Sequence, residues 1–397
     1  MMSTDPANIA TPVYLDNHAT TPVDPRVLEK MLPWFTEKFG NPHSSSHAFG
    51  RDAAEAVEHA RSQVAELIGA EAREIIFTSG ATESNNMAIK GAALFEKRHR
   101  GKRLRVVTVA TEHKCVIESV RSLEDEGFET VFLPVGAGGL VDMDRLDAAV
   151  DENTLLVSVM AANNEIGVLQ PIAEIGALAR ERGALFHTDA AQAVGKVPVD
   201  VEADTIDLMS ISGHKIYGPK GIGVLYVRRR PRARIEPLFS GGGQERTLRS
   251  GTLAPPLVVG IGEACALAGA EMTREAERLG GLRDHLLHGL EQRVGGVRLN
   301  GDAERRLPGN LNVAFEGVDA LRLIEFLPDL AVSTGSACTS AVVEPSYVLR
   351  AIGLSDVEAG SSVRAGLGRF TTPEEIDFAI DHLAEAVGQA RRAAGAA

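Results

Sequence analysis

The sequence has little cysteine, little aromatic content and no excess of basic residues. Its cysteines, Cys115, Cys265 and Cys338, are too few among 397 residues for a disulfide framework, and they favour a reducing compartment. The 41 basic and 54 acidic residues give a net charge of −13, which disfavours general binding to nucleic acid. Aromatic residues make up only 5% of the chain, so aliphatic side chains must supply most of the core.

Long hydrophobic runs and targeting segments are also missing. The longest apolar stretch, 257–270, contains a glutamate and falls short of the roughly 18 residues that a membrane-spanning helix needs. No lysine or arginine precedes Arg26, so we expect neither a secretory signal nor an arginine-rich transit peptide. These absences predict a soluble, cytoplasmic protein without a membrane partner.

The remaining composition is that of an ordinary globular protein, with 44% hydrophobic and 24% charged residues. Its length predicts two or three domains, or one large domain with a smaller one. Strand-like runs alternate with helix-period segments such as Asp52–Ile68 and Pro171–Arg182, and this alternation indicates a mostly parallel sheet covered by helices. The predicted strands are Glu74–Thr78, Arg105–Ala110, Thr130–Pro134, Thr154–Met160, Ala184–Thr188, Ile206–Ile211 and Ile222–Val227.

The pattern changes near Pro256, where a long helical stretch replaces the alternation. We predict a large α/β domain over 14–256 and a smaller α+β domain over 257–397, with residues 1–20 packing on the smaller one. The smaller domain is predicted to hold a helix over Leu257–Val294 with a break at Gly280–Gly281, short strands at Asn310–Phe315, Ala331–Ser333 and Ser362–Gly366, and a final helix from Pro373.

Unusual residues follow several predicted strands, at the sheet edge where ligands of α/β proteins bind. Ser79-Gly80-Ala81-Thr82 opens a helix, and its N–H groups form either an anion cradle or an ordinary capped turn. His113 is either a ring-stacking or proton-transferring residue or a structural one. Asn163 is either a turn residue or a donor to a ligand ring. Asp189, at a buried strand end, needs a cation or donor such as a pyridinium or a helix N-terminus.

The sixth predicted strand is followed by Ser212-Gly213-His214-Lys215. A lysine just past a buried strand is placed for desolvation, which suits an amine to covalent catalysis, whereas a solvated loop lysine is the alternative. Taken together, an anion cradle, a ring-stacking histidine, a ring acid and such a lysine are what pyridoxal phosphate requires of a protein. A dinucleotide-binding fold fits poorly, because no GxGxxG follows the early strands.

At this point the motifs resemble a known family. FTSGATESN at 77–85, NNEIG at 163–167, SGHKIYGPKG at 212–221 and GSACTSA at 335–341 are similar to those of cysteine desulfurases, in the class V, fold-type I group of pyridoxal-phosphate enzymes. The similarity covers nearly the whole chain and is greatest to the housekeeping iron–sulfur-cluster branch. It implies a fold-type I architecture, the pyridoxal 5′-phosphate cofactor, and a homodimer.

The resemblance also implies residue roles. Lys215 is expected to bond to the cofactor, and Cys338 is expected to receive sulfur from L-cysteine as a persulfide and pass it to acceptor proteins, such as an iron–sulfur scaffold or a tRNA-thiolation carrier. No resident metal is implied, only a transient role for Cys338 as a cluster ligand. The other implied roles are phosphate binding by Ala81, Thr82, Ser212, His214 and, in the other subunit, Thr252; ring contacts by Asn163, Asp189 and Gln192; stacking and proton transfer by His113; and substrate carboxylate binding by Asn41 and Arg364.

Residues 333–341 are small and polar, which predicts an exposed loop around Cys338 rather than a buried structural cysteine. Two enzymatic alternatives remain at this point: a selenocysteine lyase or another β-lyase on the same fold. A transaminase would leave Cys338 without a task. A non-catalytic partner of the sulfur system is disfavoured because Lys215 and Cys338 are both present.

Overall fold

The computed structural model describes residues 9–334 and 345–395. Strands form where Val, Ile, Leu and Phe cluster without a helical period, and most of the predicted strands appear with ends shifted by one or two residues. The strands are β1 (Val13–Tyr14), β2 (Ile75–Thr78), β3 (Arg105–Val109), β4 (Glu129–Leu133), β5 (Thr154–Ser158), β6 (Leu185–Asp189), β7 (Leu208–Ser212), β8 (Gly223–Val227), β9 (Val297–Leu299), β10 (Asn310–Phe315), β11 (Leu330–Ala331) and β12 (Ser362–Gly366).

Several helices begin at caps that the sequence predicts. Thr372 accepts a hydrogen bond from the Glu375 N–H at 3.2 Å, while the Glu375 carboxylate accepts one from the Thr372 N–H, so the final helix starts as expected. The helices are α1 (Pro25–Met31), α2 (Pro33–Thr36), α3 (Ala48–Leu67), α4 (Ala81–His99), α5 (Lys114–Arg121), α6 (Met143–Ala149), α7 (Ile172–Glu181), α8 (Pro255–Arg293), α9 (Ala320–Glu325), α10 (Tyr347–Ala351), α11 (Asp356–Gly360) and α12 (Pro373–Gly395).

The central sheet has seven strands in the order β2-β8-β7-β6-β5-β3-β4. The pairs from β7 through β4 are parallel, and β8 runs antiparallel to both of its neighbours. Successive side chains of β2 enter opposite layers: Ile75 and Phe77 pack in one apolar cluster and Ile76 in another. The predicted mostly parallel α/β sheet with helices on both faces is therefore confirmed.

A smaller sheet forms in the C-terminal part, with the antiparallel order β12-β10-β9. The N-terminal strand β1 pairs in parallel with β11. Val13 and Leu15 therefore pack in the same apolar cluster as Leu286 and Phe315. This packing supports the predicted placement of the N-terminal segment, while the division into domains at residue 256 stays a prediction.

Helix α8 is continuous over 39 residues, so the predicted break at Gly280–Gly281 is wrong. A Cβ at either glycine would meet no neighbour, and the buried Leu279 and Leu282 beside them anchor the helix through this point. By length and composition alone α8 is apolar enough to cross a membrane. Its first half instead packs in the core of the large sheet and its second half in the smaller core, as in a core helix of a soluble protein.

Candidate active site

A cavity of about 490 Å³ lies at the carboxyl ends of the central strands. The topology explains its position, because parallel strands deliver their C-terminal residues to one edge of the sheet. Nine of the residues predicted from the sequence line this cavity: Ala81, Thr82, His113, Asp189, Gln192, Ser212, His214, Lys215 and Arg364.

Lys215 ends a short 3-10 turn, Gly213–Lys215, that follows β7. Its amine donates to the carbonyl oxygens of His18 and Ala19, each at 2.7 Å. Both acceptors belong to the segment after β1, which reaches the cavity from the C-terminal part of the fold. The predicted reactive lysine is thus held at the cavity by carbonyl groups that accept hydrogen bonds without adding charge.

Asp189, the last residue of β6, lies buried in the cavity wall. One carboxylate oxygen accepts from the Asn85 side-chain amide at 2.7 Å, and the other accepts from the Ala191 N–H at 3.0 Å. Both donors are neutral, so the carboxylate keeps its full charge for a cationic ring nitrogen.

The N-terminus of α4 forms an open anion site. Gly80 precedes the helix at φ +153°, a Cβ there would meet nothing within 4 Å, and no side chain of the described residues caps the helix. Ala81 and Thr82 follow at the cavity wall, where helix N–H groups attract negative charge. Ser212 lines the cavity from the end of β7.

His214 extends the same wall. One ring nitrogen lies 3.0 Å from the Thr20 hydroxyl. Burial lowers the pKa of His214 to about 4, and the positive charges of Lys215 and Lys220 add to this shift. His214 is therefore neutral at pH 7, and a neutral imidazole offers the cavity a hydrogen-bonding group rather than a positive charge.

His113 caps α5 from the opposite wall. Its Nδ1 accepts from the Cys115 N–H at 3.2 Å and lies 3.0 Å from the Cys115 thiol. Burial lowers the pKa of His113, with Lys215 and Lys114 adding to the shift and Asp189 opposing it. With Nδ1 engaged in this way, the neutral ring carries its proton on Nε2.

Of two adjacent amides, the structure places Asn164 and not Asn163 at the cavity. Asn163 uses its side chain inside the turn: its amide donates to the Thr111 carbonyl and its oxygen accepts from the N–H groups of Glu165 and Ile166. The Asn164 side-chain oxygen is buried without a hydrogen-bond partner among the described residues. The ring contact predicted for Asn163 stays a prediction, and the structure offers the neighbouring Asn164 amide at the cavity instead.

Arg364 reaches the cavity from β12. One terminal nitrogen donates to Asp16 at 2.7 Å and the other to the Asn164 carbonyl at 2.9 Å. Its Nε is buried and has no hydrogen-bond partner among the described residues. The guanidinium is thus positioned by protein groups and retains one donor for a carboxylate.

Besides Asn163, two predicted residues in the described part of the chain do not line the cavity. Asn41 is exposed and accepts from the His43 N–H at 2.9 Å, and Thr252 is exposed as well. Neither is among the described residues that line the cavity. Cys338 lies outside the described residues.

Sequence reasoning missed several residues that the structure brings into this region. Asn85 supports Asp189, and Glu165 and Tyr347 line the cavity. Asn85 stands one turn into α4, on the same face as Ala81 and Ala88, and this helical spacing was the available signal. Tyr347 comes from a distant part of the chain, so no local pattern could indicate it.

These groups fit pyridoxal phosphate. The uncapped N-terminus of α4 suits its phosphate, and Asp189 suits its ring nitrogen. The side-chain oxygen of Asn164 is buried and has no hydrogen-bond partner among the described residues, so it is available to a polar group of a ligand. Lys215 supplies the amine that the cofactor aldehyde needs.

Comparison with known proteins supports the same reading. The family model described as aminotransferase class-V matches residues 13–378. The chain belongs to this family. Among relatives of this class-V chain, the cysteine desulfurase IscS of Rickettsia rickettsii is 54% identical over 384 residues, which cover 97% of this chain and 93% of the relative. A mitochondrial cysteine desulfurase of Arthroderma benhamiae is 60% identical over 376 residues, covering 95% and 74% of the two chains.

Solved structures agree with the fold of this class-V chain. A NifS-like protein superposes with a TM-score of 0.87 and 38% identity, covering 95% of this chain and 99% of that one. SspA in complex with cysteine superposes with a TM-score of 0.80 and 39% identity, covering 90% and 99%. The predicted family, its fold-type I architecture and its pyridoxal-phosphate cofactor are confirmed.

Proposed function

We propose that this class-V enzyme is a cysteine desulfurase in which Lys215 and Cys338 are the two reactive residues. The activity follows from relatives that are 54–60% identical over nearly the full chain. The residue roles rest on one structural observation: the Lys215 amine and the Asp189 carboxylate line the same cavity beneath an open helix N-terminus. The net reaction converts L-cysteine and an enzyme thiol into L-alanine and an enzyme persulfide.

The cofactor supplies an aldehyde that bonds to amines and a ring that takes up an electron pair. The chain's own groups do the rest. Asp189 holds a proton on the ring nitrogen, and the N-terminus of α4 holds the phosphate. The Lys215 amine, within reach of the His18 and Ala19 carbonyls, accepts the proton removed from the substrate Cα.

Substrate positioning falls to Arg364. Its guanidinium is buried and already oriented by Asp16 and the Asn164 carbonyl, so binding a carboxylate requires little rearrangement. His113 is neutral with a proton on Nε2, which suits it to donate that proton during the reaction and recover it afterwards. Asn41 is proposed to assist at the substrate carboxylate once loops close.

The sulfur transfer step is assigned to Cys338. Its thiolate attacks the substrate sulfur, the sulfur–sulfur bond forms, and the substrate Cβ–S bond breaks with its electron pair remaining on the carbon side. Protonation of that carbon, with return of a proton to Cα, gives alanine. The small, polar sequence around Cys338 supports this role, because a sulfur carrier must meet both substrate and acceptor.

We also propose that the enzyme works as a homodimer. Large apolar side chains are exposed together around α1 to α3: Leu32, Phe35, Phe39 and Phe49 are 52–66% exposed, and Phe39 stacks on Phe49 with ring centroids 5.4 Å apart. Such a patch is typical of a protein interface. A second copy would cover it and give the exposed Thr252 a phosphate to bind in the neighbouring site.

The persulfide acceptor is proposed to be an acidic protein. The segment 228–234 is rich in arginine, and its Arg229, Arg230, Arg232 and Arg234 are exposed and offer charge to such a partner. Arg228 is instead buried and donates to a carbonyl group and to Glu202. Acceptors in the cytoplasm, such as scaffold and carrier proteins, match this proposal.

The decisive experiment incubates the holoenzyme with L-cysteine and locates the added sulfur by mass spectrometry of peptides. Cys338 should gain one sulfur atom. Cys115 and Cys265 are internal controls, because burial raises the pKa of each thiol to about 12 and keeps it protonated. Sulfur on either control cysteine, or none on Cys338, would refute the assignment.

A variant that lacks the Cys338 thiol tests the same assignment by activity. Cys338→Ala should retain cofactor absorbance and lose sulfide release from L-cysteine, and full activity in this variant would contradict the role of Cys338. Rates on L-cysteine and on selenocysteine distinguish the selenocysteine lyase, which the comparisons do not favour. That alternative predicts turnover of selenocysteine that does not depend on Cys338.

A further inference from the structure

A chain of hydrogen bonds leads from the reactive lysine to a second lysine behind it. The His18 carbonyl accepts both the Lys215 amine at 2.7 Å and the Gln192 side-chain amide at 2.8 Å. The Gln192 side-chain oxygen in turn accepts from the Lys196 amine at 2.7 Å. One glutamine therefore connects Lys196 to the carbonyl that the reactive lysine uses.

Lys196 occupies a costly position for an amine. It is partly buried and lines a separate cavity of about 20 Å³, which is enough for a single water and which shares His18 with the larger cavity. Desolvation, together with the charges of Lys215 and Arg364, lowers the pKa of Lys196 to about 7, although Glu275 opposes the shift. An amine buried at such a cost beside the active-site cavity indicates a task there.

The task follows from donor and acceptor chemistry. The Lys196 amine carries N–H donors in either protonation state and lies 2.7 Å from the Gln192 side-chain oxygen, so it meets that end of the amide as a donor. With its oxygen facing Lys196, the Gln192 amide directs its nitrogen towards the His18 carbonyl and the larger cavity, which Gln192 lines. The amide nitrogen carries two protons, and His18 takes one of them. The second remains for a ligand in the cavity.

We propose that Lys196 is a positioning residue that orients the Gln192 amide so that it presents a donor to the pyridine ring of the cofactor. This proposal rests on the proposed function, since it takes Gln192 as a ring contact. Lys196 itself touches neither cofactor nor substrate and acts entirely through Gln192.

A double-mutant cycle separates this role from a merely structural one. Lys196→Met, Gln192→Ala and the double variant are prepared as apoproteins, and pyridoxal phosphate is titrated into each while absorbance and circular dichroism of the bound cofactor are followed. With Gln192 present, loss of the charge-assisted hydrogen bond should weaken cofactor binding about tenfold and change the dichroic band. With Gln192 removed, the same lysine substitution should change affinity less than about twofold.

If Lys196 only stabilised the fold, the double-mutant cycle would give a different result. Equal losses in both backgrounds, or no loss in either, would overturn the proposal. Lys196→Gln keeps an N–H donor and should recover part of the affinity, and it replaces the methionine variant in the cycle if that variant does not fold. Arg306→Met is the matched control: it removes a buried cation that donates to backbone carbonyls in the smaller unit, and it should lower the melting temperature without changing the dichroic band.

The wild-type titration keeps the two proposals apart. If the wild-type protein binds no pyridoxal phosphate, the assignment of the cavity itself is wrong. If it binds the cofactor and the cycle shows no coupling between the two side chains, only the role of Lys196 is lost.

Discussion

Asn85 donates from its side-chain amide to the carboxylate of Asp189 at 2.7 Å. Both residues are buried, and the amide nitrogen also lies 3.2 Å from the Cys115 sulfur. Helix α4 thus contributes twice to the cavity: its uncapped first turn lies at the cavity wall, and its second turn holds the Asp189 carboxylate through Asn85. The carboxylate is oriented before any ligand arrives, and such preorganisation is what a cofactor site requires.

Replacing Asn85 should loosen this arrangement. In Asn85→Ala the Asp189 carboxylate loses a buried donor, and we expect cofactor affinity to fall about tenfold. Titration of the apoprotein with pyridoxal phosphate measures the change. Asn86→Ala is the control, because its exposed amide donates only to the Thr82 carbonyl. Unchanged affinity in Asn85→Ala would show that Asp189 needs no such support.

Covalent attachment of the cofactor should depend on Lys215 alone. Borohydride reduction of the holoenzyme, followed by digestion and mass spectrometry, should find the cofactor on the peptide that contains Lys215. Lys215→Ala should lose this label. Lys220→Ala should keep it, although Lys220 also lines the cavity. A label that moves to Lys220, or that survives in Lys215→Ala, would contradict the assignment.

The buried ion pair between Arg61 and Glu245 should stabilise the segment that leads to Thr252. Two nitrogens of Arg61 donate to Glu245 at 2.8 Å each, and Glu245 also accepts from the Phe77 N–H at 2.7 Å. Three consecutive residues from Glu245 have positive φ, which only strong local contacts maintain. Glu245→Ala removes the buried carboxylate that pairs with both terminal nitrogens of Arg61 and should lower the free energy of unfolding by about 3–5 kcal/mol.

Urea unfolding of Glu245→Ala measures that loss, and Glu58 offers a matched control. Glu58 binds the same arginine at 3.0 Å, yet its side chain is 61% exposed. Because water screens an exposed pair, Glu58→Ala should cost less than about 1 kcal/mol. Similar losses in the two variants would show that burial of the pair is unimportant.

Glu165 should make stability depend on pH. Desolvation raises the pKa of this carboxyl to about 7 from an ordinary value of 4.5, against the opposing effects of Ser346 and Arg364. The folded chain therefore binds a proton that the unfolded chain has lost between these values. Stability falls as pH rises through this window, by about 3 kcal/mol in total.

Glu165→Gln removes this dependence, since the amide is neutral at every pH and still offers an oxygen to the Ser346 hydroxyl. Relative to the wild type, the variant should gain stability between about pH 5 and about pH 7.5 in urea unfolding. Glu181→Gln, at an exposed position of α7, is the control. A constant difference between Glu165→Gln and the wild type over this range would disprove the shift.

The central sheet was predictable because its strands carry their signal locally. Continuous β-branched runs, bounded by turn residues, located β5 to β8 within two residues. The continuity of α8 through Gly280–Gly281 was not predictable in the same way, because packing of Leu279 and Leu282 overrides the glycine propensity. The local sequence also could not distinguish Asn163 from Asn164, because either amide can close a turn. Only the fold shows that Asn163 does so.

The sequence by itself determined the family and the cofactor, because motifs spread over nearly the whole chain resemble those of a known family, and it predicted Lys215 as the residue that bonds to that cofactor. Only the tertiary structure decided which neighbours serve the residues of the site. Asn85 meets Asp189 and Gln192 meets His18 from parts of the chain that are far apart in sequence, and the fold thereby decides which donor meets which acceptor in space.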